Sequence, residues 1–183
     1  MRLPLILSLA LLPATVMADD VTDTLDSARA AYEADHLDDA MKELTFAIQL
    51  IKQMRAGSLS DHLPPAQDGW TRTLNEDEAS ALAMMGGTAA AAEYTRDAES
   101  FSLTVMVDNP MMAGLINAFS SPAMMGTMGN LVRVGREKFV EQGGDLTGLI
   151  GNRIMVQANG ADPEVMLPYL EAMDFAALEA LGN

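Results

Sequence analysis

The chain contains no cysteine. Disulfides, thiolate–metal centres, thiol nucleophiles and a lipid attached through a cysteine are therefore all excluded. Histidine is nearly absent as well, with only His36 and His62 in 183 residues. There is no His-Glu-x-x-His, no Gly-x-Ser-x-Gly, no P-loop and no dinucleotide fingerprint. Ser60, Asp61 and His62 are the residue types of a nucleophilic triad. Sequence neighbours cannot supply the oriented serine–histidine–carboxylate chain that the mechanism needs. Basic residues are scarce too, 11 against 26 acidic ones, for a net charge of −15. That balance opposes binding to nucleic acid or to an anionic membrane, both of which need a basic footprint. Acid runs such as Asp19-Asp20 and Asp38-Asp39 lack the spacing of a calcium loop and read as solvated or helix-start charge.

What is present begins with an address. Met1-Arg2 supplies a short positive start, Leu3 to Val16 an apolar run broken by two prolines, and Val16-Met17-Ala18 a small-residue cleavage site. Residues 1–18 are expected to be a signal peptide, cut between Ala18 and Asp19. No later stretch is long and apolar enough to span a bilayer. The expected product is a soluble periplasmic protein, neither a lipoprotein nor an integral membrane protein.

Helical periodicity follows. Leu25, Ala28 and Tyr32 share one face, the pattern breaks at Asp35-His36, and a longer helix then begins near Asp38. Leu37, Ala40, Met41, Leu44, Ala47, Ile48 and Ile51 recur at intervals of three and four. Gly57 is placed to end this helix, giving a hairpin over residues 19–57. Ala28, Tyr32, Ala40, Leu44 and Ala47 match a pattern of small residues at helix crossings with larger ones between them. On these residues, segment 27–51 resembles a single tetratricopeptide-type helical hairpin, with Asp35 where a turn glycine is usual. The resemblance implies protein–protein interaction. No second copy follows, and one hairpin cannot bury its apolar stripe as a stacked solenoid does.

Residues 58–69, with Pro64-Pro65 and Asp68-Gly69, read as a linker. An α+β domain is then expected over 70–183. Its first short strand is Trp70–Leu74, and Asn75-Glu76-Asp77-Glu78 opens an Ala/Met helical segment ending at Gly86-Gly87. The alanine-rich run from Thr88 to Arg96 has helical propensity, but its flanking turns frame it as a strand paired with the next. That next strand carries the strongest period-two signal in the chain: Phe101, Leu103, Val105 and Val107 on one face, Ser102, Thr104 and Met106 on the other. Asn109-Pro110 and Ser121-Pro122 start two short helices. Leu131–Val134, Lys138–Gln142, Asp145–Ile150 and Arg153–Gln157 then form a meander, with Gly143-Gly144 and Gly151-Asn152 as hairpin turns. Asp162-Pro163 and Asp174 open the last helices. The fold class is α+β: a helical hairpin followed by a mostly antiparallel sheet with helices packed on one face. The element order is loosely similar to that of the Mog1/PsbP-like α+β domains, a similarity that implies fold alone.

Methionine is the compositional anomaly, with 15 in the chain. Thioethers fill irregular cores and adaptable apolar surfaces, and they also select Cu(I). Met124 or Met125 with Met128 has helical spacing, and Met106, on the expected outer face of its strand, offers a further sulfur. Met106, Met124, Met125 and Met128 are thus the candidate metal ligands; no other cofactor is expected. Arg133 and Arg153 are expected to project from the solvent face of the meander, toward an acidic partner or an anion, or as gatekeeping charge on a sheet face or edge. With Tyr32, Leu44, Ile48 and Ile51 they form the candidate partner surface. The expected function is non-catalytic binding to another periplasmic or envelope protein. The alternatives are Cu(I) binding by the central methionines and binding of a small apolar ligand.

Overall fold

The computed structural model describes residues 16–110, 112–119 and 121–181. The expected signal peptide, up to residue 15, lies outside the described residues, as does Met111. Two helices come first, α1 (Val16–Glu33) and α2 (Leu37–Ser60). Asp35 supplies the turn between them at φ 65°, and the N–H of His36 donates to the carbonyl of Ala31. Aspartate tolerates this left-handed conformation better than most residues, which is how the hairpin turns without glycine. Gly57 does not end α2. The helix continues to Ser60, and the guanidinium of Arg72 donates to the Ser60 carbonyl at 2.7 Å, satisfying an acceptor at the negative helix terminus.

The chain divides into two compact units between Met54 and Arg55, within α2. In the first unit the buried apolar side chains are small: Ala28, Ala40 and Ala47. The second holds a seven-stranded antiparallel sheet. Its strands are β1 (Thr71–Leu74), β2 (Thr88–Arg96), β3 (Glu99–Val107), β4 (Asn130–Val134), β5 (Glu137–Gln142), β6 (Asp145–Ile150) and β7 (Ile154–Asn159). Between them lie α3 (Glu76–Met84), α4 (Met112–Phe119) and α5 (Pro122–Met128); α6 (Pro163–Glu171) and α7 (Phe175–Ala180) follow. The spatial order is β1-β2-β3-β7-β6-β5-β4. A three-stranded meander therefore leads to α4 and α5, and a second meander starts at the far edge and works back until β7 pairs with β3. Val105 opposes Val156, and Met106 opposes Met155.

The alanine-rich run is strand β2. Two-sided burial overrides its helical propensity. Ala90, Ala92 and Tyr94 face the main core with Leu103, Val105, Val156, Tyr169 and Leu170. Ala89 and Ala91, on the other face, are buried as well, beneath a side on which α3 lies against β2 and β3. The Ser102 hydroxyl donates to Glu78 of α3 at 2.9 Å, and the Asn75 side chain caps that helix by accepting from the Glu78 N–H. Met106 belongs to this second buried face, only 4% exposed. That corrects the expectation that it points outward: a strand covered on both faces has no outer side.

Segment 58–69 is not a free spacer. Leu59 and Leu63 are buried in the main core. The Tyr94 hydroxyl donates to the Pro64 carbonyl at 2.6 Å, and the Gln67 N–H donates to the Tyr169 oxygen at 3.3 Å. Both tyrosines belong to an aromatic group in which Tyr94 stacks on Phe101 and Trp70 meets Phe101 edge-on. Burial pushes the Tyr94 phenol up to about 12, against the opposing influence of Arg72. With the folded value above the ordinary one, the neutral phenol's contribution is complete below about pH 10. It is lost as pH rises toward 12. Tyr94→Phe is expected to cost about 1–2 kcal/mol at pH 7, because the Pro64 carbonyl loses its partner. Urea unfolding as a function of pH should show the gap between the two proteins narrowing above pH 10.

Candidate functional site

Two regions stand out, one in each unit. In the first, the large apolar side chains are not the buried ones. Leu37, Met41, Leu44, Ile48 and Ile51 of α2 are 42–67% exposed, and Leu25 and Tyr32 of α1 are exposed too. The periodic stripe thus divides in two: the alanines at 40 and 47 turn inward, and the bulky residues face water. The outward set is spaced four, three, four and three, the repeat of a coiled-coil seam. Tyr32, Leu44, Ile48 and Ile51, expected at a partner surface, all lie exposed on the hairpin. A contiguous apolar face of this kind is unusual on the surface of a small protein.

The second region is the end of β3. Asp108 adopts φ 56°, a left-handed conformation for a non-glycine residue. Its backbone N–H donates to the Arg153 carbonyl at 3.1 Å. Its carboxylate accepts from Arg153 Nε at 3.1 Å and Nη2 at 3.2 Å, and from Arg55 Nη2 at 2.9 Å. Hydrogen bonding from Arg153, then from Arg55, holds the Asp108 carboxyl below its usual range despite some desolvation. Arg153 is therefore corrected from a residue projecting toward a partner to one closed on Asp108. Arg133, in contrast, is exposed, with its Nε donating to the Gly135 carbonyl at 3.3 Å.

Next to this clasp, the Asn109 amide donates to the Gly86 carbonyl at 3.0 Å and to Met106 Sδ at 2.8 Å. Gly87 has φ 84°, and a β-carbon there would come within 2.3 Å of the Val107 carbonyl oxygen. Only glycine admits this approach. The Asp108 clasp and Arg55 were missed in the sequence. The available signal was Asp-Asn-Pro directly after a strand, opposite Gly86-Gly87.

The four methionines proposed as metal ligands occupy dissimilar surroundings. Met106 and Met125 are buried, Met128 is half-buried, and Met124 is 51% exposed. The 124–125 doublet therefore splits between interior and solvent, and one lone pair of Met106 is engaged by Asn109. Among the described residues no group of three or more His, Asp or Glu side chains is placed to hold a metal ion. Ser60 Oγ donates to the Gly57 carbonyl at 2.7 Å, a helix-end contact. An open depression lined by Thr73, Leu74, Asn75, Glu76, Asp77 and Glu93 is acidic rather than apolar. No described helix is long and apolar enough to cross a membrane. No family model matches the chain, and no similar curated protein or solved structure was found.

The Asp108 side chain is 41% exposed, so its ion pairs are screened and modest in strength. Asp108→Asn keeps a residue that tolerates the left-handed conformation and removes the charge. It is expected to lower stability by about 1 kcal/mol at pH 7. Because the folded carboxyl titrates below its unfolded value, the difference is fully present above about pH 4 and closes as pH falls through the depressed value. Chemical denaturation of both proteins from pH 7 to pH 3 checks the direction.

Proposed function

We propose that this is a non-catalytic exported protein that works by binding another protein molecule through the outward apolar face of its helical hairpin. The observation that carries this reading is the exposed stripe Leu37–Met41–Leu44–Ile48–Ile51 on α2. Each of these side chains is about half exposed, so covering one contributes on the order of 1 kcal/mol. A contiguous face of five therefore supplies an apolar driving force of the same order as the cost of ordering two molecules. The likeness of segment 27–51 to a tetratricopeptide-type hairpin supports the same reading, since hairpins of that type present helices to partners. The leader-like first 18 residues support export to the periplasm. The cysteine-free composition fits an oxidising compartment without requiring it.

The test compares the full chain with Leu44→Asp/Ile48→Asp, both immobilised and exposed to periplasmic extract and to free copies of the chain itself. Both substituted residues are exposed, so circular dichroism and unfolding midpoints should match the parent closely. The parent is expected to retain a bound protein that the double variant releases, with apparent affinity lowered at least tenfold. Equal retention by the two proteins would remove the hairpin face from the function.

A further inference from the structure

The exposed face of α2 carries information about its own occupant. With Met41 and Ile48 in the first core position of the heptad, Leu37, Leu44 and Ile51 take the second. Arg55, at the next first position, ends the apolar run. One flank of this seam is Ala40 and Ala47, which are already buried. A partner helix must therefore be met along the other flank, formed by Asp38, Thr45 and Lys52, all exposed. These three residues are seven apart, with an acid at one end, a neutral residue in the middle and a base at the other.

We propose that the partner is a second copy of this chain, its α2 packed antiparallel on the first about a twofold axis near Thr45. The proposal rests on the hairpin face being the binding surface, and it names what binds there. In an antiparallel pair, the matching flanks of the two helices meet. Asp38 then lies beside Lys52 of the second copy, and Lys52 beside its Asp38. The same alignment sets Leu44 level with Ile48, and Met41 level with Ile51, in each direction. Acid–base complementarity and apolar register are satisfied together. A parallel pair sets Asp38 and Lys52 against the alanine flank, where neither finds a countercharge. An isologous contact of this kind closes on itself and leaves no end for further growth. The apolar run from residue 37 to 51 spans about 21 Å at the helical rise.

Sedimentation velocity over a wide concentration range reads the association directly. The parent should pass from monomer to dimer with rising concentration. Asp38→Lys and Lys52→Asp should each weaken the dimer about tenfold, because one substitution places two like charges together across the axis. Combined in one chain, the two reversals should restore association to within about twofold of the parent, a recovery that a structural defect in either single variant would not give. Orientation is read on the cysteine-free background. Thr45→Cys should be joined efficiently to its counterpart by a short bis-maleimide, whereas Asp38→Cys, offset by about 21 Å along the axis, should not. Equal cross-linking of both variants, or failure of the double reversal to recover, overturns the antiparallel dimer. A chain that stays monomeric at every concentration, yet loses a different partner on Leu44→Asp/Ile48→Asp, overturns the second copy and leaves the docking face standing. Indifference of all binding to that double variant removes both.

Discussion

The sheet depends on one seam, the ladder between β3 and β7. Strands β1, β2 and β3 form one meander, and strands β4 to β7 form another. They become one seven-stranded sheet where Ser102–Val107 pairs with Ile154–Asn159. Long-range pairing of this kind is entropically expensive, because some fifty residues must be closed into a loop before it forms. The sequence meets that cost with strands that are buried on their paired faces: Leu103, Val105, Val156 and Ala158 are inaccessible to solvent. Asp108 clamps the open end of the ladder. Its backbone bonds to the carbonyl of Arg153 while its carboxylate grips the guanidinium of the same residue. Holding a non-glycine residue at positive φ costs of order 1 kcal/mol or more, and the two-point attachment offsets it.

Residue size explains much of what surrounds this seam. Alanines at 89 and 91 let α3 approach one face of β2, while Ala90 and Ala92 let the aromatic group crowd the other. The hairpin uses the same device. Ala28, Ala40 and Ala47 are buried while their bulky neighbours are excluded. An inward set of small residues cannot also shelter leucines and isoleucines seven residues apart on an adjacent stripe. The exposed seam is a direct consequence of how the hairpin distributes its volume.

Most of the element order was legible in the sequence, because its punctuation is strong. Gly143-Gly144 and Gly151-Asn152 all take positive φ, as their hairpin turns require. Asn75 and Asp174 cap their helices through the side chain, and β3 announced itself by period-two alternation. Less legible were features that depend on which face a neighbour covers. Period alone marked Met106 as outward, whereas in the fold it is buried and its sulfur accepts from the Asn109 amide. Residues 37 to 51 read as one continuous apolar stripe, since three-and-four spacing does not distinguish alanines that are buried from larger residues that are not. The end of α2 was misplaced for a related reason: glycine is tolerated inside a helix, and Leu59 and Leu63 give the chain reason to remain helical beyond it. Asp108 and Arg153 are 45 residues apart, and no local pattern couples them.

An exposed apolar helix face invites non-specific association, and the rest of the sequence opposes it. A net charge of −15 repels copies of the molecule wherever they approach with unmatched surfaces. The seam itself is bordered by charge of both signs, so attraction there is conditional on orientation: Asp38 against Lys52 is favourable, and Asp38 against Asp38 is not. A uniformly acidic border would keep copies apart, and a neutral one would let them meet in any register. The observed border permits a single register in which apolar layers and charges agree, and the surrounding negative field penalises the others. Selectivity of this kind needs no pocket and no cofactor, only a strict repeat and three flanking residues in the right order.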